Sequence, residues 1–264
     1  MPVKTIKDIQ YSSPDGVPLR LDIHLPSGAN EPLPVILVIP GGGWSSCSKE
    51  CEPGLARAGF AAVCINYRVS SIAIAPANIH DCKAAVRWVK SNAAEYGLNP
   101  VRVGVYGVSA GGHLAMMMGC SHGVKELEGK GEEHQTSRGS EVQAVCAVCG
   151  PTDLTRIAIP EIRRGFPDLY EVTQRYLGAP VLERLELARL VSPLTYASPN
   201  CPPMMLIHGD ADAIVPVEES LIFHEALRKA GARTSLRIVE GGPHSSLWEQ
   251  TADDVIAFFT KNLR

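Results

Sequence analysis

The chain has 264 residues, of which 45% are hydrophobic and 20% are charged, and its formal net charge is −3. This composition is typical of a globular protein, and the small negative charge gives no basic surface for a nucleic acid or an anionic membrane. No apolar segment is long enough to cross a bilayer. We therefore expect neither a nucleic-acid nor a membrane partner. The N-terminal segment lacks the apolar core of a signal peptide, so a cytoplasmic location is expected, although a secreted protein without its leader would have the same sequence.

Four strands are predicted in the N-terminal quarter of the chain. Residues 6–11 and 19–25 flank a turn sequence, Ser13-Pro-Asp-Gly16. The second of these segments alternates apolar and polar residues, so an antiparallel hairpin at a sheet edge is expected. Residues 34–40 and 60–66 are apolar without alternation, which is typical of central strands covered on both faces. A short helix is predicted between them, at residues 52–58.

The remainder of the chain alternates helices with strands. Residues 78–96 place apolar side chains three and four positions apart, which predicts an amphipathic helix that ends at Gly97. Residues 121–141 are polar and are predicted to form a long surface loop. Further strands are predicted at residues 101–108, 142–148, 203–208 and 234–239, and further helices at residues 170–177, 181–190, 217–230 and 245–263.

This alternation predicts a mostly parallel sheet that is covered by helices on both faces. A single domain spanning residues 1–264 is the simplest organisation, since the sequence contains no repeat, low-complexity segment or linker. Residues 151–198 have mixed character and are interpreted as a small cap-like excursion over the site.

The cysteines are interpreted mainly as core residues. Cys146 and Cys149 form a C-x-x-C pattern inside an apolar segment, with no second pair at the spacing of a zinc site, so a buried strand is favoured over a metal or redox site. Cys47 and Cys51 fall in a loop, where a disulfide between them is conceivable. Five cysteines in apolar segments are predicted to be buried free thiols: Cys64, Cys82, Cys120, Cys146 and Cys149.

The most informative segment is Gly107-Val-Ser109-Ala-Gly111, which follows an apolar β-branched run and precedes a helix-like run. It is a G-x-S-x-G pattern in the strand–turn–helix context of a nucleophile elbow. A serine hydroxyl must stand clear of the backbone to attack an acyl carbon, and the flanking glycines remove the Cβ atoms that would clash in so sharp a turn. The pattern predicts that Ser109 is a nucleophile. An ordinary βα turn rich in small residues is the alternative.

A serine nucleophile needs a base and a residue that orients the base. The carboxyl ends of parallel strands share one sheet edge, so residues that follow the strands are the candidates. His244 follows the strand at 234–239, and two aspartates follow the strand at 203–208. Asp212, deeper in its loop, is preferred, whereas Asp210 is better placed to shape the turn. The resulting chain order of Ser, Asp and His is that of α/β-hydrolases.

Gly41-Gly-Gly-Trp44 comes directly after the central strand at 34–40. Consecutive glycines let the backbone pass close to a ligand and point its amides at it, as in the oxyanion loop of lipases and esterases. A flexible loop is the alternative interpretation.

Taken together, these segments resemble the α/β-hydrolase superfamily. The resemblance is closer to the small bacterial esterases of the BD-FAE type, which include carbohydrate acetyl and feruloyl esterases. It extends over about residues 35–245 and is carried by five segments: Gly41-Gly-Gly-Trp44, His80-Asp-Cys-Lys-Ala-Ala-Val-Arg-Trp-Val-Lys90, Gly107-Val-Ser-Ala-Gly-Gly-His-Leu-Ala115, Ser192-Pro193 and His208-Gly-Asp-Ala-Asp-Ala-Ile-Val-Pro216.

The resemblance implies an α/β-hydrolase fold with a mostly parallel sheet of about eight strands, helices on both faces and a small cap. It also implies a catalytic triad, an oxyanion hole built from backbone amides and a tryptophan in the substrate pocket. The triad would be Ser109, Asp212 and His244, the amides those of Gly42, Gly43 and Ala110, and the tryptophan Trp44.

The chain departs from the family pattern at Pro40, where a histidine usually precedes the glycines. Proline has neither an amide hydrogen nor an imidazole, so another group must brace the loop. The glycine that usually follows the tryptophan is also absent, and Cys47 lies nearby.

The sequence thus predicts a serine carboxylesterase for a small-molecule ester, monomeric or homodimeric, that needs neither a metal nor an organic cofactor. Short acyl groups are favoured because the cap is small and aromatic residues make up only 6% of the chain. A kynurenine-formamidase-like amidase would use the same triad. A non-catalytic binding protein on a hydrolase scaffold is the other alternative, and the competent residues at all three triad positions weigh against it.

Overall fold

A computed structural model describes residues 2–29, 31–49, 51, 53–129 and 139–264 of the chain. Its strands are β1 (Val3–Ser12), β2 (Leu19–Pro26), β3 (Leu33–Ile39), β4 (Ala61–Ile65), β5 (Leu98–Val108), β6 (Ala144–Val148), β7 (Met204–Gly209) and β8 (Thr234–Val239). They form one eight-stranded sheet in the order β1-β2-β4-β3-β5-β6-β7-β8. The β1–β2 and β2–β4 pairs are antiparallel and the other pairs are parallel, so the predicted edge hairpin and mostly parallel sheet are confirmed.

The central strands are apolar at consecutive positions because both faces of the sheet are covered. Side chains alternate between the two faces of a strand, and on β3 Val35 and Leu37 enter one core cluster while Ile36 and Val38 enter the other. The helices on the described residues are α1 (Pro53–Arg57), α2 (Ala77–Ser91), α3 (Ala110–Cys120), α4 (Lys125–Glu128), α5 (Pro160–Gly165), α6 (Pro167–Leu177), α7 (Leu185–Leu190), α8 (Glu218–Ala230) and α9 (Trp248–Leu263). Buried residues of α2, α3 and α8 belong to the first cluster and those of α1 and α9 to the second.

The predicted helix at 78–96 is too long at its C-terminal end. It stops at Ser91, because the amide group of the Asn92 side chain donates to the Trp88 carbonyl at 2.8 Å and takes up an acceptor at the helix end. Tyr96 lies beyond the helix but packs against the Trp88 ring at 5.5 Å, which explains why it fits the apolar periodicity. Gly97, predicted as the C-cap, instead adopts a φ of 66° in the turn before β5.

Other boundaries also differ from the prediction: β5 starts at Leu98 rather than at residue 101, and α6 at Pro167 rather than at residue 170. The segment at 181–190 is a 3-10 turn (Val181–Glu183) followed by α7, and the last helix starts at Trp248. The predicted loop at 121–141 contains the short helix α4, and its residues 130–138 lie outside the described residues.

One disulfide corrects two of the cysteine predictions. Cys64 on β4 is bonded to Cys51, so it is not a free thiol and Cys51 does not pair with Cys47. Cys47 is free, and its sulfur accepts a hydrogen bond from the Tyr67 amide at 3.4 Å. The sequence could not reveal the pair because the loop before α1 returns to β4 only in three dimensions. Cys82, Cys146 and Cys149 are buried free thiols as predicted, whereas Cys120 is free but partly exposed.

The long connection between β6 and β7 carries α5, α6 and α7, in the region predicted to be a cap-like excursion. Its α6 buries Leu169, Thr173, Tyr176 and Leu177 and leaves the opposite side in contact with solvent. Within the described ranges, no helix combines the length and the apolar character needed to span a membrane.

Candidate active site

Ser109 stands on a strained turn between β5 and α3. Its φ and ψ are 58° and −123°, a conformation that non-glycine residues rarely adopt. The Ser109 amide donates to the Val148 carbonyl at 2.7 Å, which ties the turn to the neighbouring strand. A Cβ on Gly107 would collide with the carbonyl oxygen of Gly111, and one on Gly111 with that of Ile39. Glycine is therefore required at both positions flanking this serine.

Three strand-end residues form a continuous hydrogen-bonded line. His244 Nε2 lies 2.9 Å from Ser109 Oγ, and His244 Nδ1 lies 2.7 Å from Asp212 Oδ2. Because an ionised carboxylate only accepts hydrogen bonds, Nδ1 of His244 must carry a proton. Its Nε2 is then free to accept the hydroxyl proton of Ser109. The turn after β5 and the loops after β7 and β8 supply the three residues, so the shared sheet edge brings them together.

Asp212 is buried, with 8% of the residue exposed. Its Oδ1 accepts from the amides of Ile214 at 2.8 Å and Val215 at 2.9 Å. Burial alone would raise the pKa of Asp212, but hydrogen bonds from His208, His244 and these amides outweigh it and hold that pKa well below its usual range. The carboxylate is therefore ionised and fixed in orientation near neutral pH.

Asp210, the competing aspartate, is exposed. Its Oδ1 accepts from the amide of Gly241 at 2.6 Å, so it joins the loop after β7 to the loop after β8. This contact fits the turn-shaping role expected for it.

The glycine loop after β3 borders the same space. Gly42 and Gly43 have φ values of 108° and 56°, which glycine adopts without strain. The amides of Gly42, Gly43 and Ala110 form no hydrogen bond with another described residue, and all three residues line the cavity together with Ser109.

Tyr67 is the brace that sequence reasoning missed. Its hydroxyl lies 3.2 Å from the Pro40 carbonyl oxygen and 3.4 Å from that of Gly41, so it holds the start of the glycine loop. The residue follows the end of β4 by two positions, at the sheet edge that also carries Ser109, Asp212 and His244. That position after a strand is the sequence signal that could have indicated it. It offers a contact at the point where Pro40 replaces the usual histidine.

Trp44 borders the cavity, but only 1% of the residue is exposed. Its ring stacks on Tyr176 at 4.5 Å, and its indole nitrogen donates to His113 Nδ1 at 3.3 Å. The side chain predicted to line the pocket therefore packs beneath the glycine loop and supports it. His113 Nε2 in turn donates to the Val191 carbonyl at 2.7 Å.

Burial keeps His113 neutral, against the hydrogen bond to Val191. Burial lowers its pKa from the ordinary value of 6.5 to about 4, and a proton on Nδ1 would face the indole N–H. Between these values the unfolded chain binds a proton that the folded chain does not. The free energy of unfolding should therefore fall as the pH drops from 6.5 to 4, by up to about 3 kcal/mol from this residue.

Urea titrations of the wild type and His113→Gln across this pH range test that expectation. Glutamine can hydrogen bond but does not titrate, so the variant should have a lower free energy of unfolding at neutral pH and a shallower dependence on pH. An identical dependence in both proteins would contradict the assignment.

A cavity of about 660 Å³ opens over Ser109. Its walls are mainly apolar, and two charged residues of α6, Asp168 and Arg175, also line it. The remaining lining residues come from the glycine loop, β5 and the turn after it, the ends of β6 and β7 and their loops, α6, and the loop before α9 with the first residue of that helix: Gly41, Gly42, Gly43, Trp44, Ser45, Tyr106, Val108, Ser109, Ala110, Val148, Pro151, Leu169, Val172, Ile214, Val215, His244, Ser245, Ser246, Leu247 and Trp248.

Two groups of described residues bring three ligand-type side chains within 4.8 Å of one another. In the first, His24 lies beside Cys51 and Cys64, whose sulfurs are joined to each other and offer no thiolate. In the second, Cys149 lies beside Asp212 and His244, and both ring nitrogens of His244 already contact Asp212 and Ser109. Neither group presents a free ligand set.

A model of the BD-FAE family matches residues 21–227 of the chain, which include the glycine loop, Ser109 and Asp212. The chain belongs to the BD-FAE family. The eight-stranded sheet, with its serine turn after β5 and its helices on both faces, is accordingly an α/β-hydrolase fold.

The curated relatives of this BD-FAE chain include esterases. Esterase LipQ of Mycobacterium tuberculosis is 34% identical over 207 residues, which are 76% of this chain and 47% of LipQ. Isoprenylcysteine alpha-carbonyl methylesterase ICME of Arabidopsis thaliana is 27% identical over 243 residues, 88% of this chain and 55% of ICME. The chain thus spans about half the length of the curated relatives it matches.

Solved structures of esterases resemble the BD-FAE chain over nearly its whole length. A truncated carbohydrate esterase from gut microbiota has a TM-score of 0.85 and 30% identity, and the match covers 98% of this chain and 95% of that one. A thermophilic esterase of Thermogutta terrifontis with bound butyrate has a TM-score of 0.79 and 28% identity, covering 96% of this chain and 93% of that one.

Proposed function

We propose that the chain is a serine carboxylesterase that hydrolyses short-chain acyl esters, with acetyl and feruloyl esters of carbohydrates as the first substrates to test. The observation that carries the proposal is the line from Ser109 through His244 to Asp212 at the floor of an open cavity. Esterases among the curated relatives and the solved structures support the same reaction type.

The first half of the reaction acylates Ser109. His244 Nε2 accepts the hydroxyl proton while Ser109 Oγ attacks the ester carbonyl carbon. Asp212 keeps the proton on His244 Nδ1 and stabilises the imidazolium that forms. When the tetrahedral intermediate collapses, the C–O bond of the ester breaks and the departing alkoxide takes the proton from His244. The alcohol leaves, and the acyl group remains on the serine.

The second half returns the enzyme to its starting state. Water takes the place of the alcohol, His244 accepts its proton, and the hydroxide oxygen attacks the acyl carbon. Collapse of this second intermediate releases the carboxylic acid and gives the proton back to Ser109 Oγ. Every proton is transferred through His244 Nε2.

The negative oxygen of each tetrahedral intermediate would lie against the free amides of Gly42, Gly43 and Ala110. Donors fixed before the reaction stabilise this charge without reorganising, and one such donor typically contributes roughly 3 kcal/mol to lowering the barrier. The contact of the Tyr67 hydroxyl with the Pro40 carbonyl at the start of the loop, and that of the Trp44 indole with His113 at its end, would keep the amides in place.

A panel of substrates tests the proposal. The purified protein should hydrolyse p-nitrophenyl acetate, with kcat/KM falling as the acyl chain is lengthened to octanoate. Acetylated sugars, feruloyl esters and N-formylkynurenine assayed beside these plain esters identify the preferred alcohol and bond type. Hydrolysis of N-formylkynurenine with no turnover of any ester would instead identify an amidase. Binding of these compounds with no turnover would identify a non-catalytic scaffold.

A further inference from the structure

The Asp212 carboxylate contacts two histidines through the same oxygen. Oδ2 lies 2.7 Å from His244 Nδ1 and 3.2 Å from His208 Nε2. His208 is completely buried near the end of β7, where it cannot reach a substrate. Among the described residues, these two histidines are the partners within ion-pair distance of Asp212.

The hydrogen bonds around His208 fix its tautomer. His208 Nε2 lies 3.1 Å from the Val215 carbonyl oxygen, which can only accept, so Nε2 must carry a proton, and Asp212 Oδ2 lies beside that proton. His208 Nδ1 is then an acceptor for the Ser220 hydroxyl on α8, at 2.7 Å. Ser220 is itself buried, with 3% exposed.

The result is a chain of five side chains centred on the carboxylate: Ser109, His244, Asp212, His208 and Ser220. One half, Ser109 and His244, borders the cavity. The other half repeats the same residue types in the core, where no substrate can enter. We propose that His208, held by Ser220, is a positioning residue that keeps Asp212 Oδ2 directed at His244. This role rests on the proposed esterase mechanism.

A physical need for such a residue follows from the contacts of the carboxylate. The amides of Ile214 and Val215 hold Oδ1, whereas without His208 the main donor to Oδ2 is His244, the group that must stay mobile enough to transfer protons. Cys149 also lies within 4.8 Å of the carboxylate. Burial raises the pKa of that thiol to about 12, so it stays protonated and offers only a weak S–H donor. The Nε2–H of His208, which the Val215 carbonyl and Asp212 share, thus supplies a second imidazole donor beside the oxygen that orients the base.

Four variants assayed with p-nitrophenyl acetate test this role: His208→Leu, His208→Gln, Ser220→Ala and Ser121→Ala. His208→Leu should lower kcat by roughly 100-fold, the loss expected when a reacting group is misplaced by about an ångström. KM should change little, because His208 does not touch substrate. His208→Gln carries an N–H near the position of Nε2 and should recover most of kcat.

Ser220→Ala and Ser121→Ala form a matched pair. Both remove one buried hydroxyl, but Ser121 bonds the Met117 carbonyl at the far end of α3. Ser220→Ala should lower kcat several-fold, and Ser121→Ala should leave it unchanged. The proposal is overturned if folded His208→Leu keeps wild-type kcat, or if His208→Gln is as impaired as His208→Leu. Should His208→Leu not fold, equal kcat values in the two serine variants overturn it.

Ser109→Ala separates this inference from the mechanism on which it rests. If Ser109→Ala retains activity, the proposed function itself fails. If Ser109→Ala is inactive while His208→Leu and Ser220→Ala retain full activity, only the role of His208 is refuted.

Discussion

Ser109→Ala is expected to lower kcat for p-nitrophenyl acetate by about 10⁶-fold, as removal of the nucleophile does in a serine hydrolase. The methyl group cannot attack the carbonyl carbon, and His244 loses the proton donor that lies 2.9 Å from its Nε2. Alanine has the same Cβ as serine, so the strained turn and the packing around it are retained. Initial rates, with circular dichroism as a check on folding, provide the measurement.

The control for this variant is Ser121→Ala. This substitution also removes a buried hydroxyl, but at the end of α3 that lies farthest from Ser109. An organophosphonate should also add one adduct to the wild-type chain and none to Ser109→Ala, as read by mass spectrometry. Undiminished turnover in folded Ser109→Ala would contradict the proposed mechanism.

Asp212→Asn is expected to lower kcat by about 10⁴-fold, the effect of presenting an amide where a carboxylate should fix the imidazole tautomer. An asparagine NH₂ directed at His244 Nδ1 would drive the proton to Nε2, and Nε2 could then no longer accept the proton of Ser109. The buried site holds the asparagine through the same amides of Ile214 and Val215, so misfolding is not needed to explain the loss.

Asp210→Asn is the matched substitution two residues earlier. Among the residues that the structure describes, the Asp210 side chain bonds only the Gly241 amide, and asparagine can accept that bond through its side-chain oxygen. Its kcat should remain within a few-fold of the wild type, and any loss should be one of stability, about 1 kcal/mol for a single hydrogen bond. An active Asp212→Asn enzyme beside an inactive Asp210→Asn enzyme would reverse the choice between the aspartates.

Much of the fold could be predicted because the local signals agree with the tertiary environment. β8 has the predicted bounds, Thr234–Val239, and the hairpin of β1 and β2 lies at the sheet edge as its alternation indicates. The helix predicted at 78–96 extends past the end of α2, because Tyr96 fits the apolar periodicity although it lies outside the helix. The Cys51–Cys64 bond could not be predicted, because the apolar residues around Cys64 indicate only that it is buried in a strand. A buried strand cysteine can be a free thiol or can pair with a loop cysteine, and the sequence does not distinguish the two.

In the candidate site, too, the local sequence signals could be used for prediction, and the contacts between distant elements could not. Ser109, Asp212 and His244 could be selected because parallel strands share one edge, and the structure places His244 within hydrogen-bond distance of both Ser109 and Asp212. Their chemical roles stay predictions until the variants are measured. The support for the glycine loop depends on Tyr67, Tyr176 and His113, whose side chains converge from separate elements. No spacing along the chain encodes that convergence.

The helix α6 has a consequence for how this chain could diversify. The proposed reacting groups are anchored to the sheet, whereas α6 places Asp168, Val172 and Arg175 on the cavity wall from a connection outside it. The side chain of Val172 lies near Gly43 of the glycine loop, and Tyr176 of the same helix stacks on Trp44, whereas Asp168 and Arg175 line the cavity wall. After gene duplication, a few substitutions in α6 could therefore change the size and charge of this wall without altering the proposed reacting groups. This is one route by which proteins of a single fold come to act on different esters.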